Sequence, residues 1–396
     1  MTNSPDTMTD ARLEATGRDR ILAAFEGRSG WFRPVAPAYP DALSRHIARR
    51  RYLERYLERM GSHDQVVLDH ATDVEVWLTA WRDAYELLPD RPDWMTVTVN
   101  ESRAEIDGAR IVRRERGCYR VPPWGDSAVQ LDEVWEGRSS RDIWRTEPIR
   151  SRQEIEERVP IVPAGDLLGD GRFDLPKRMV AELGQKHFTM TYLSPPFAAL
   201  YETVGFVGMM TLPLERPDLT EELLQQLYLR DIEWARACVS AGFDGILLEN
   251  CLVSADLISP RFFEAFVYSW DCRFVRALRG LGLRIVHYFS GDVVPRLPLL
   301  REMDVDCLAT EESKKGFEVD ICKVAEAVGD RMCVAGNISA MELPHWSEKE
   351  LDAEIARQAH DAEGARGFII STGSPLPSDA ALDTLIGFMA AGRRHA

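Results

Sequence analysis

Along the C-terminal half of the chain, short apolar runs alternate with longer segments whose apolar residues recur at helical spacing. The runs fall at 187–192, 245–248, 284–287, 305–309, 332–335 and 367–370. Roughly 20 to 50 residues separate neighbouring runs, and the stretches 221–241 and 260–281 carry the amphipathic period of helices. Short, largely apolar strands divided by helices predict a parallel sheet buried on both faces. A doubly wound α/β sheet gives a similar rhythm. A (β/α)8 TIM barrel is favoured because each strand end carries polar residues capable of chemistry and there is no GxGxxG turn.

The N-terminal half is less regular. Residues 1–15 read as a disordered polar lead-in, and 16–27 as a short amphipathic helix closed by Gly27. A short strand is expected at 33–37 and a charged helix at 41–60, with the basic run Arg49 to Arg51 inside it. A further apolar run at 65–68 precedes Asp69, His70 and Asp73. From Trp94 to Trp135 the pattern turns antiparallel: 95–99 alternates, 109–114 is a plausible partner, and Asp107-Gly108 and Arg116-Gly117 are turn signals. The expectation is one domain over 16–396 with an N-terminal helical extension and a small β-hairpin insertion at 94–135. A helix starts near 151–157, and a Gly/Asp/Pro-rich connection runs on to 176.

A chain of 396 residues accommodates a single barrel with an elaborated N-terminus. The net charge of −16, from 64 acidic and 48 basic residues, argues against nucleic acid as a partner. No apolar run approaches the roughly 20 residues that span a bilayer, so no membrane association is expected. The first ten residues lack the apolar core of a signal peptide. Seven cysteines without a CxxC pair read as reduced thiols, so a cytoplasmic location is expected.

The strand ends carry the candidate chemistry. Ser194, Phe197, Tyr201 and Glu202 follow the first run; Glu249, Asn250 and Cys251 follow the second. His287, Tyr288 and Ser290 come next, then Glu311 and Glu312, then Asn337, then Ser371 to Ser374. In a barrel these ends converge on one pocket. Taken singly, a histidine after an apolar strand is more often a packing residue, and a Glu pair is usually a solvated loop. Recurrence at successive strand ends is what carries the case. His287 would titrate near neutral pH as the central acid or base, with Glu249, Glu311 or Glu312 orienting it or exchanging protons. Phe197, Tyr201, Tyr288, Asn337 and Ser374 are the candidate substrate contacts. Trp124, Trp135 and Trp144 could line a pocket beneath the hairpin, although such residues more often pack.

Several passages resemble the uroporphyrinogen decarboxylase superfamily. They are Asp244 to Ile246 with Leu257 to Pro260 and Phe263, His287 through Gly291 as a His-x-Cys-Gly-like loop, Asp330-Arg331 through Gly336 to Ile338, and Gly367 to Gly373. Ser194 to Phe197 with Gly205-Phe206, and the opening Arg18 to Leu22, are similar to further passages. The resemblance covers about Ser194 to Gly373 well and implies a TIM barrel. The Arg-Gln-Ala-Gly-Arg-Tyr stretch of true uroporphyrinogen decarboxylases is missing, so the corrinoid-linked methyltransferase-like branch is the nearer one. Members of that branch activate a thiol on zinc held by a His-x-Cys pair and a later cysteine. Here His287 is retained, while Phe289 and Ser374 replace the cysteines. A rearranged zinc site would use His287, Cys251 and Glu249. The resemblance implies an enzyme that moves a methyl group between a small substrate and a corrinoid or folate carrier, with a corrinoid protein as partner and a homodimer as its assembly. Two alternatives are a metal-free decarboxylase or lyase acting on a small carboxylated compound, and a non-catalytic ligand-binding protein that kept the pocket.

Overall fold

The protein is described from a computed structural model, which covers residues 15–28, 32–39, 78, 82, 85, 87–99, 101–108, 110–114, 117–121, 129–130, 148–314, 316–377 and 382–396. Among the described residues, seven strands form one parallel sheet, TIM-barrel-like in its order: β1 (Trp94–Thr96), β5 (Phe188–Leu193), β6 (Gly245–Asn250), β7 (Arg284–Phe289), β8 (Cys307–Thr310), β9 (Cys333–Ala335) and β10 (Phe368–Ile369). A separate antiparallel sheet holds β2 (Arg110–Arg114), β3 (Gly117–Val121) and β4 (Val129–Gln130).

Both faces of the parallel sheet are buried, which is why its strands lack polar alternation. Phe188, Met190, Leu247, Val286, Tyr288, Cys307, Ala309 and Ile369 form the inner cluster. Their strand neighbours Ile246, Leu248, Ile285, Phe289 and Leu308 join the larger core under the helices. Each fully buried Leu, Ile or Phe among them contributes about 1.5–3 kcal/mol relative to exposure.

The ends of the sheet meet at residues 34–36. Val35 bridges Ile370 in parallel, and the Ile370 amide donates to the Pro34 carbonyl at 2.8 Å. On the other side the Asp93 amide donates to the Val35 carbonyl at 2.9 Å. The helix Gly17–Phe25 starts with a reciprocal cap between Thr16 and Asp19. It does not project from the domain. It runs beneath the amino ends of the strands, where Arg18 pairs with Asp244 and Phe25 packs edge-on against Phe188 at 5.3 Å. Asp93, fully buried beside it, accepts hydrogen bonds from Arg20, Arg393 and the Val35 amide.

One expectation is corrected. The strand at Trp94–Thr96 does not pair with 109–114; it pairs in parallel with β5, Trp94 opposite Phe188. Its one threonine, Thr96, is a buried strand former, not part of an outward polar face. Asp107-Gly108 ends a short helix, Arg103–Gly108, and the antiparallel partner of 110–114 is 117–121. Residues 1–14, the basic run at 49–51, the segment 41–77 with Asp69, His70 and Asp73, and Trp124, Trp135 and Trp144 lie outside the described residues.

The helix Pro217–Ala241 ends at Gly242, whose left-handed φ of 91° suits only glycine without strain. The expected helix at 260–281 is Pro260–Phe262, a π-helical turn Phe263–Tyr268, and Ser269–Gly280. Pro196–Glu215 is long and apolar enough, by length and composition, to cross a membrane. It is broken at Gly205, half of its most apolar window is buried, and it packs against Pro217–Ala241.

Candidate active site

Strand register decides which side chains reach the mouth at the carboxyl ends of the sheet. Inner-face positions are Tyr192 on β5, Glu249 on β6 and Tyr288 on β7, each in phase with the inner cluster. Tyr39, just past the 34–36 segment, completes them. Its ring stacks on Tyr192 (5.5 Å, 9° between planes) and meets Tyr288 at right angles (5.3 Å). Tyr39 holds a left-handed φ of 53°, a conformation that costs a non-glycine residue about 1 kcal/mol or more. The stacked Tyr192 ring, the perpendicular Tyr288 ring and a hydrogen bond to Glu249 hold it there.

Around these rings stand polar groups from four strand ends. The Tyr288 hydroxyl donates to the Gly373 carbonyl at 2.9 Å. Ser374 donates to Glu312 Oε2 at 2.5 Å, while Glu312 Oε1 is buried without a partner. Glu311 accepts from the Gly291 amide at 2.8 Å and pairs with Lys314. Gly291 has a φ of 79°, and a side chain there would strike Ser254, so the tight turn requires glycine.

Electrostatics tie the groups into one cluster. Burial pushes the Tyr39 phenol up, and Glu249 adds to it. Burial likewise raises Tyr288, with Glu311, Cys251 and Glu312 close enough to contribute. The Cys251 thiol, hydrogen-bonded to Ser290, is pushed up to about 11 by burial and then by Glu249 and Glu311. At neutral pH the phenols and the thiol therefore stay protonated. They can donate hydrogen bonds, but Cys251 is not an activated nucleophile.

A cavity of about 460 Å³ opens beside Tyr192 and Glu249. Ser194, Glu202, Arg230, Asp231 and Trp234 line its helix side, and Glu105, Arg158 and Arg172 its N-terminal side. Arg230 is bonded to Asp231 at 2.7 and 3.1 Å. Arg172 is bonded to Asp170 at 2.7 and 3.0 Å, with its guanidinium 5.3 Å from the Trp234 ring.

Of the residues singled out from the sequence, Glu249, Cys251, Tyr288, Glu311, Glu312 and Ser374 come together here. His287 does not. It lies on the outer face with Ile285 and Phe289, its ring 6.0 Å from Phe289, fully buried and with neither ring nitrogen partnered. Phe197 is a core residue against Phe262, and Tyr201 packs at the edge of the main core. Asn337 sits behind the mouth, where its amide holds the Glu311 and Val319 carbonyls. Tyr39, Tyr192 and the cavity arginines were not singled out, whereas Ser290 was noted at its strand end. Tyr192 follows only once the inward phase of its strand is known, because inward positions then recur every second residue up to the strand end.

The same register revises the His-x-Cys-Gly resemblance. Counted back from Gly291, the histidine and cysteine positions hold Tyr288 and Ser290. With Ser374 at the later cysteine, the mouth offers hydroxyls where a thiol-activating zinc site needs nitrogen and sulfur. His287 faces away from Cys251 and Glu249, so the rearranged set does not form. Among the described residues no three His, Cys, Asp or Glu side chains converge as metal ligands.

Comparison with known proteins agrees with this architecture. The chain is 28% identical over 190 residues to the methylcobamide:CoM methyltransferase MtaA of Methanosarcina barkeri (strain Fusaro / DSM 804), covering 47% of this chain and 54% of that protein. A second Methanosarcina barkeri MtaA matches at 27% over the same length and shares. The chain thus spans about half the length of the curated relatives it matches. A solved methyltransferase from Methanosarcina mazei superposes with a TM-score of 0.65 at 21% identity, over 96% of this chain and 99% of the other, which speaks for the fold. The family model for uroporphyrinogen decarboxylase (URO-D) matches residues 145–395, more than half of the sequence, and the chain belongs to that family, on the side of its methyltransferase-like members.

Proposed function

We propose that the protein is an enzyme that transfers a methyl group between a small organic substrate and a corrinoid or folate carrier, the corrinoid being held by a partner protein. The observation that carries this reading is the cluster at the strand ends: Tyr39, Glu249, Tyr288, Glu311 and Glu312, brought together beside a cavity within the roughly 300–1,000 Å³ usual for small-molecule sites. The matched methylcobamide:CoM methyltransferases supply the reaction class. In this reading 34–36 acts as an eighth strand that closes a (β/α)8 barrel, and residues 16–396 form one domain.

The chain's own residues do four things here. The tyrosine rings form an apolar floor that excludes water. Glu249 and Glu311 fix the substrate electrostatically, worth most where water is excluded. The Tyr39 phenol donates to Glu249 and so holds its carboxylate in place. Asn337 and Ser374 fix the loops that carry Glu311 and Glu312. A decarboxylase that protonates a carbanion through His287 loses that acid, because the imidazole lies behind the sheet; one that uses a nearby carboxylate keeps its acid, and the matched methyltransferases favour methyl transfer over it.

Methyl transfer from candidate methylated donors to reduced corrinoid, read by the spectrum of methylcobalamin, tests the proposal. Glu249→Gln should lower the rate roughly 100-fold with the circular dichroism unchanged. Turnover of a carboxylated substrate by the purified protein without corrinoid or folate would overturn it.

A further inference from the structure

Three features of the mouth select a substrate charge. The first is aromatic: Tyr39, Tyr192 and Tyr288 pack face and edge in one group, and Tyr192 turns into the cavity beside Glu249. Tyrosine faces attract cations, by about 0.5–1 kcal/mol when exposed and about 2 when desolvated. The same cavity already shows such a pairing, with Arg172 lying over Trp234.

The second feature is charge. Glu249, Glu311 and Glu312 lie within one electrostatic neighbourhood around Tyr39, Cys251 and Tyr288. One oxygen of Glu312 is buried there with no partner. The cavity guanidiniums nearby are engaged: Arg230 with Asp231, and Arg172 with Asp170. An anionic substrate would have to break those pairs and sit among three carboxylates, of which Lys314 offsets only Glu311.

The third feature is the leaving group. A methyl ether or alcohol expels an alkoxide, which needs an acid. The histidine expected to supply a proton faces the helices, Glu311 is paired with Lys314, Glu312 accepts from Ser374, and the phenols of Tyr39 and Tyr288 are already donating to Glu249 and the Gly373 carbonyl. An onium donor needs no acid. Its carbon–nitrogen or carbon–sulfur bond breaks with the electron pair going to the heteroatom, which leaves as a neutral amine or sulfide. The methyl carbon would pass to the carrier, whose nucleophilic atom would supply the other electron pair.

We propose that the site takes a small quaternary ammonium or sulfonium compound as methyl donor, its charged head against the tyrosine group and between Glu249 and Glu311. The reaction step rests on the methyl-transfer reading above, whereas the binding preference does not.

Calorimetric titration of the full chain with choline and its neutral isostere 3,3-dimethylbutan-1-ol tests the preference directly. Choline should bind at least about 10-fold tighter, and both Glu249→Gln and Tyr192→Leu should erase most of that difference. If Tyr192→Leu fails to fold, Tyr192→Phe keeps the ring and should keep the selectivity. Equal binding of the neutral isostere, or tighter binding of acetate, overturns the inference. Selective onium binding without methyl passage to corrinoid or folate would sink the methyl-transfer reading and leave the site assignment standing. Methyl transfer from a neutral ether without onium binding would do the reverse.

Discussion

Replacing His287 with leucine alters a side chain that the fold buries completely and leaves without a partner at either ring nitrogen. Burial lowers its pKa from 6.5 to about 4. In the folded protein the imidazole is therefore neutral down to about pH 4, while in the unfolded chain it takes up a proton below about 6.5. Between those values the unfolded state binds more protons, so the contribution of His287 is fully present above the unfolded pKa and is lost as the pH falls. The loss amounts to about 1.4 kcal/mol per pH unit, or on the order of 3 kcal/mol across the window. Leucine is of similar size, cannot be protonated and leaves no unsatisfied polar atom, each of which costs about 1–3 kcal/mol when buried. His287→Leu should thus be at least as stable as the parent near neutral pH. Its advantage should grow by about 3 kcal/mol on acidification to about pH 4, read from paired urea unfolding curves. Methyl-transfer activity should be unchanged, because the ring lies on the helix side of the sheet. A folded variant without activity, or a stability difference that ignores pH, would refute the reasoning.

Three other substitutions, the last with a control, probe different layers of the structure. Asp271, wholly buried and bonded to Asn250, has its pKa raised to about 8 by burial. Its folded form keeps a proton that the unfolded chain gives up near pH 4, so its contribution falls as pH rises from about 4 to about 8. Asp271→Asn should flatten that decline by several kcal/mol in unfolding titrations, and an unchanged slope would count against the burial account. Asp93→Asn leaves Arg20 and Arg393 facing a neutral group beneath the sheet and should cost about 3 kcal/mol in denaturant unfolding, leaving the activity of the folded fraction intact. Gly373→Ala would press a methyl group against the Glu312 amide and, at 2.7 Å, its carboxylate. It should lower the methyl-transfer rate about 10-fold or more, whereas Gly280→Ala, where the space is open, should leave the rate unchanged.

Much of the scaffold was legible because strand and helix periods are local properties. The runs at 187–192, 245–248 and 284–287 correspond to β5, β6 and β7, and polar residues at their ends do gather at one mouth. Local pattern failed at Trp94–Thr96, where the buried Thr96 imitated part of an outward polar face and only the pairing with Phe188–Leu193 revealed a strand of the main sheet.

The same limit governed the site. In a sheet buried on both faces, no polar alternation tells inward positions from outward ones. A shift of one residue then exchanges His287 for Tyr288, an unpartnered imidazole behind the sheet for a phenol in the mouth. Tyr39 could not be assigned from its own neighbourhood either, since its partners Tyr192, Glu249 and Tyr288 lie far along the chain. The sequence by itself determined the strand–helix rhythm, the family and the strand ends that hold the chemistry. The tertiary structure alone decided which face of each strand turns inward, because register is set by contacts between residues distant in the chain, and those contacts put a group of tyrosines beside the carboxylates where a histidine was expected.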